Sequence, residues 1–138
     1  MAGVILLLAA AILVWYMFTE KFTDTDNVKA DYTSTAIDLV KEFKKDINSA
    51  NKKYAEKIII VHGEITKIDK ADTTANLIMQ DTASGAYIIF AFQQQHLTET
   101  KQMRVGDHVS IKGSCSGGNY SEILETESIN FKRCALNK

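Results

Sequence analysis

The sequence has no proline, only two cysteines, and no excess of either charge: 16 Lys and Arg stand against 17 Asp and Glu, a formal net charge of −1. Each shortage excludes a class. Without proline, and with 7 glycines in 138 residues, collagen-like and proline-rich extended chains are ruled out. The balanced charge removes the electrostatic field that most nucleic-acid-binding domains display. The three histidines, His62, His96 and His108, show neither H-x-H nor H-x-x-x-H spacing, and two cysteines supply no zinc-ligand set, so no metal or other cofactor is expected. Nucleophile-elbow, Walker and phosphate-cradling glycine patterns are also missing, and the chain is read as a non-enzyme.

What is present begins with one long apolar run. Met1 to Phe18 holds no charged side chain and closes with Trp15, Tyr16 and Phe18 before Glu20 and Lys21. About 18 residues of helix reach roughly 27 Å, close to the ~30 Å hydrocarbon thickness, so residues 1–18 are expected to be a transmembrane helix. A cleaved secretory signal would need a basic n-region and a small-x-small site, and the run offers bulky residues instead. A buried core helix fits poorly because no face is polar. Residues 19–34 are acidic, lack apolar periodicity and read as a polar tether to a folded domain over 35–138. That domain is expected on the extracytoplasmic side of a single-pass membrane protein, with the membrane itself as a partner through residues 1–18.

From Thr35 the spacing of Ala36, Val40, Phe43, Ile47, Ala50 and Tyr54 predicts one amphipathic helix, with Thr35 and Asp38 placed as in a capping box. Its opposite face carries Lys41, Lys44, Lys45, Lys52 and Lys53, a solvated strip or, alternatively, a phosphate-binding one. After Lys57 the period drops to two. Strands are predicted at Ile58–Ile68, with Gly63 as the bend, at Leu77–Asp81, Ala86–Phe92 and His108–Cys115, and within Ile123–Leu136. Ser116-Gly117-Gly118-Asn119 is read as a break. Ile59, Val61, Ile65, Val109, Ile111 and Gly113 are expected to face inward. Five short strands in about 80 residues, with an irregular segment after the third, match the plan of an OB-fold barrel. The fold class is therefore mainly β, a five-stranded OB-fold barrel preceded by one amphipathic helix.

Several stretches resemble the tRNA_anti-like family of bacterial OB-fold proteins: Lys57 to Ile65, Val105 to Gly117, and Ile129 to Leu136, in that order behind a helix ending at Tyr54. The resemblance covers about Thr35 to Leu136 and implies a barrel and a habit of export. It transfers no catalytic residues.

The candidate site residues follow from the barrel. Tyr87, Phe90 and Phe92 could act as stacking platforms, and because Tyr87 has opposite parity to the two phenylalanines, at least one side must face out. His62 and His108 are expected to point outward from neighbouring strands. Cys115 and Cys134 form a disulfide if oxidised after export, or else remain two buried thiols. The residues after Lys57 favour a binding module for a protein or an envelope oligosaccharide, held on the outer face of the second and third strands. The alternative is single-stranded nucleic-acid or tRNA binding on the cytoplasmic side. A metal-dependent enzyme using His62 and His108 is a third class.

Overall fold

Ile59, Val61, Leu77, Met79, Ile88 and Phe90 recur at every second position and are buried while their neighbours are less so, which gives each strand one inner face that the sheet has to curl to shield. The computed structural model describes residues 2–19, 25, 28–71 and 74–137. Its elements in chain order are α1 (Ala2–Thr19), β1 (Tyr32–Thr35), α2 (Ala36–Lys45), α3 (Ile47–Tyr54), β2 (Ile58–Glu64), β3 (Lys67–Lys70), β4 (Ala75–Gln80) and β5 (Tyr87–Phe92). A 3-10 turn (Gln94–His96), α4 (Leu97–Thr100), β6 (His108–Ser121) and β7 (Thr126–Leu136) complete them.

The described residues form seven strands in one open sheet, not the five expected, because the first predicted strand divides and β1 adds an edge; their order is β1-β2-β6-β7-β5-β4-β3. β2 pairs antiparallel with β6, β3 with β4, and β5 runs parallel to β7. Both arms of the order meet in one continuous piece of chain. Ile65 N–H donates to the Asp107 carbonyl at 3.0 Å, whereas Thr66 N–H donates to the Ile78 carbonyl at 2.8 Å. The chain thus leaves the β6 side for the β4 side between residues 65 and 66, and the sheet wraps through that step as an OB barrel does. The predicted strand Ile58–Ile68 is therefore two strands. Gly63 is needed for a different reason from the one the sequence suggested: a Cβ there would lie 2.7 Å from Met79 Sδ and 2.9 Å from Ala36 Cβ. It admits the cap helix to the barrel, and the partner switch falls two residues later.

Three further expectations are corrected. The helix of residues 35–54 is broken at Asp46, whose extended backbone (φ −158°, ψ 98°) ends α2 while its carboxylate accepts from Asn48 N–H and Ser49 N–H to start α3. Ser116 to Asn119 do not break the fourth strand, since β6 runs on for 14 residues and absorbs the glycines in irregular register against β7. The last residues of the expected tether, Tyr32 to Ser34, lie in β1, parallel to Ile59–Val61 of β2. Thr35 does cap α2, its hydroxyl accepting from Asp38 N–H at 3.2 Å.

α2 and α3 close one end of the barrel. Leu39, Val40 and Phe43 are buried with Ile59, Ile88, Phe90, Ile129 and Phe131 in one core. Phe43 reaches β6 because Gly118 has no side chain; a Cβ there would stand 2.6 Å from the ring. Asn51 of α3 clamps the same backbone, accepting from Gly118 N–H at 2.7 Å and donating to its carbonyl at 3.0 Å. Of the inward set, Ile59, Val61, Ile65, Ile111 and Gly113 are buried as expected and Val109 is half-buried, while Lys112, which alternation would turn outward, is also buried.

The transmembrane expectation is not supported. Among the described residues no helix is long and apolar enough to cross a membrane. α1 has 18 residues, about 27 Å of rise, short of the ~30 Å core. Tyr16 and Phe18, assigned to an interfacial belt, have side chains outside the described residues.

Candidate binding surfaces

Strand β5 decides the aromatic site. Ile88, Phe90 and Phe92 point into the barrel, and Phe90 packs against Phe131 with ring centroids 5.0 Å apart. Phe90 and Phe92 are core residues, which corrects their candidacy as stacking platforms. Their parity with Ile88 and the inward pull of Phe131 are the physical reason. Tyr87, Ile89 and Ala91 occupy the outer face, half-buried.

The register places a row of polar groups beside Tyr87. Gln80 of β4 pairs with Tyr87, Tyr87 with Ser128 of β7, and Ser128 with Asn119 of β6. The next outward row holds Lys67, Ile78, Ile89 and Asn130. The outer face of β4, β5 and β7 is thus one tyrosine and two isoleucines framed by amides and a serine, with Lys67 as the cation of these two rows. At the adjoining hairpin tip Tyr120, Ile123 and Leu124 are exposed, Ile123 to 94%. Sequence reasoning missed Gln80, Asn119 and Ser128. Asn119 was read as part of a strand break, Gln80 becomes a neighbour of Tyr87 once the β4–β5 register is known, and Ser128 only once the parallel β5–β7 pairing is known.

His62 and His108 do point outward from adjacent strands, but each has another partner across the ladder: His62 stands opposite Ser110 and His108 opposite Glu64. His62 Nδ1 is hydrogen-bonded to Ser110 Oγ. The two histidines rim a cavity of about 360 Å³ between the start of α2, β2 and the end of β4, floored by Ala36, Val40, Gly63 and Met79. Among the described residues no group of three or more His, Cys, Asp or Glu side chains is placed to hold a metal ion.

Cys115 and Cys134 are free thiols, both buried. Cys115 faces Phe131 in the β6–β7 ladder, while Cys134 pairs with Phe92 of β5 beyond a register shift. The structure therefore does not join them as a disulfide. Burial pushes the Cys115 thiol up to about 11 and lifts Cys134 well above the ordinary thiol range, so neither is a reactive thiolate near neutrality.

The sequence matches the tRNA_anti-like family over residues 1–129. The chain belongs to that family. No curated protein matches this tRNA_anti-like chain. Among solved structures it is similar to a "putative nucleic acid-binding lipoprotein" from Klebsiella pneumoniae, at 15% identity and a TM-score of 0.56, covering 76% of this chain and 91% of that one. It is also similar to an OBody bound to hen egg-white lysozyme, at 14% identity and a TM-score of 0.46, covering 62% and 87%. A third likeness is the aspartyl tRNA synthetase of Entamoeba histolytica, at 10% identity and a TM-score of 0.45, covering 66% and 20%. At such identities the first shows the fold alone, and the other two carry no argument.

Proposed function

We propose that this tRNA_anti-like protein is a lipid-tethered, extracytoplasmic binding module that catalyses nothing and holds a neutral oligosaccharide on the outer face of β4, β5 and β7. The observation that carries the reading is the row Gln80–Tyr87–Ser128–Asn119. A tyrosine face flanked by amide and hydroxyl groups offers a sugar ring an apolar platform and hydrogen-bond donors and acceptors at its edges. It offers a phosphate backbone little, because the two rows around Tyr87 carry Lys67 alone and two of the three expected stacking rings are in the core. The name of the Klebsiella protein favours nucleic acid as a second reading. The charge of the face weighs against it here.

Lipid tethering rests on α1. The large hydrophobic side chains from Val4 to Trp15 are 53% to 72% exposed. Such a helix is unfavourable in water on every face, so lipid is the medium that suits it. The reading without catalysis is supported by the exposed setting of the hydrogen-bonded His62–Ser110 pair.

The test uses the full chain in lipid nanodiscs, titrated by calorimetry with chitotetraose, maltohexaose and an oligothymidylate. Binding of an oligosaccharide that Tyr87→Ala weakens about tenfold, equivalent to ~1.4 kcal/mol, is expected. Oligothymidylate binding that falls steeply with salt, with neither sugar bound, would replace this reading by the nucleic-acid one.

A further inference from the structure

The cavity at the barrel mouth lies by the start of the cap helix and borders the outer face just described at Gln80, while Tyr87, Ser128 and Asn119 do not line it. At about 360 Å³ it sits at the small end of ligand-pocket volumes, which fits a compact molecule. Its floor of Ala36, Val40 and Met79 is apolar, and Gly63 supplies no Cβ to fill it.

The polar groups of its rim fall into two sets. Thr35 Oγ1 caps α2, and Thr66 Oγ1 donates to the Ile78 carbonyl and accepts from Gln80 N–H. The two oxygens of Asp81 accept from Ala83 N–H and Ser84 Oγ, which hold its carboxyl below the usual range with help from Lys41 and Lys44 nearby. These groups are committed to the fold. Glu64 is different: it faces His108 across the ladder, lies two residues from His62, and its carboxylate has no partner among the described residues. If His62 Nδ1–H donates to Ser110 Oγ, its Nε2 is left as an acceptor facing the same space.

We propose that the barrel mouth binds a small aliphatic amine, with the ammonium paired to Glu64 and hydrogen-bonded to the imidazole of His108, its partner across the ladder, and the hydrocarbon body lying over Val40 and Met79. A carboxylate or phosphate would meet Glu64 as a like charge. A bare metal ion is offered no group of three His, Cys, Asp or Glu side chains among the described residues, and it has no use for the apolar floor. An ammonium with a short hydrocarbon chain satisfies both halves of the site, since the one uncommitted charge receives a counter-charge and the apolar floor is covered.

The experiment adds n-butylamine or butyrate to the full chain in lipid nanodiscs and follows the Met79 methyl and the His62 and His108 ring signals by NMR. Saturable shifts with butylamine and none with butyrate are expected. Glu64→Gln should weaken butylamine about tenfold, since an ion-paired hydrogen bond becomes a neutral one. Glu64 is exposed, so a thermal melt unchanged from that of the parent chain is expected for this variant. His108→Ala should weaken binding by a smaller factor, and Tyr87→Ala should leave it unchanged, which separates this site from the oligosaccharide face. Equal shifts with butyrate, butylamine binding indifferent to Glu64→Gln, or a Met79 methyl that does not move would each overturn the proposal.

Discussion

α1 and α2 are both helices with large apolar side chains, yet α2 hides all of its own but Ile37 and α1 does not. α2 places Leu39, Val40 and Phe43 in the core and turns Asp38, Lys41, Lys44 and Lys45 outward. α1 has no polar face to turn outward, and its leucines stay more than half exposed. The two patterns suit different surroundings: periodicity near 3.6 with charges between is the mark of a helix closing a protein core, and uniform apolarity is what the lipid contact proposed for α1 would require.

The sharpest way to break that comparison is to truncate one large side chain on each helix. Phe43→Ala removes a fully buried ring that touches both Gly118 and Tyr54, and it should cost about 3–5 kcal/mol in chemical denaturation of the barrel. Leu7→Ala should leave the same unfolding curve in place while weakening retention of the chain by lipid vesicles. A barrel that loses comparable stability on Leu7→Ala would show that α1 packs on the folded domain. The converse change, Gly118→Ala, pushes a methyl towards the Phe43 ring from the other side and should cost about 1–3 kcal/mol, less than Phe43→Ala because the ring can shift slightly.

How much of this was legible in the sequence depends on the range of the interaction. Period-two alternation correctly buried Ile59, Val61, Ile65 and Ile111, and the 4-3-4 spacing correctly found the inner face of α2, because neighbours within a turn or a pleat carry that information. The break at Asp46 had a local signal too: Asp followed by Asn48 and Ser49 is a cap, and the continuous apolar spacing across it concealed the fact. The long-range facts were hidden. That β5 lies parallel to β7, making Phe90 a partner of Phe131 rather than a ligand platform, depends on pairing 41 positions apart, which no local pattern encodes. The same holds for the Gly118 contact with Phe43, where a Gly-Gly pair looked like a turn and is instead the seat of a ring.

The Asp46 junction sharpens the comparison at smaller scale, since it is where α2 stops and α3 starts. Ser49 N–H, the Ser49 hydroxyl and Asn48 N–H hold the Asp46 carboxyl below its usual value. Asp81 is held down in the same way by the Ser84 hydroxyl and Ala83 N–H, and for Glu42 the Tyr54 and Lys53 hydrogen bonds outweigh the upward push of burial. A carboxyl with a lowered folded value adds stability that is fully present above its unfolded value and is lost as pH falls through the folded one. The melting temperature should therefore hold through neutrality and decline below the ordinary carboxylate range, about pH 4. Asp46→Asn keeps a capping oxygen and should flatten part of that acid slope with little change at neutral pH. Asp46→Ala should lower the melting temperature at neutral pH as well, by less than Gly118→Ala does.

The smallest expected effect lies on the exposed face of α2. Lys44 Nζ lies 3.1 Å from Glu127 Oε2, and Lys53 Nζ lies 2.9 Å from Glu42 Oε1 and 4.8 Å from the Tyr54 ring centroid. Two lysines of the strip that could have served phosphate groups are thus occupied within the protein, which favours a solvated face over a phosphate-binding one. Lys44 is 37% exposed and its partner 16%, so water and salt screen the pair and Lys44→Ala should cost between 0 and about 1 kcal/mol, shrinking as salt is added. A larger loss that persists in high salt would mean that the Lys44 methylene stem, rather than its charge, packs α2 against β7. In that case the two faces of α2 would be less sharply divided than those of a helix that closes a core on one side and meets only water on the other.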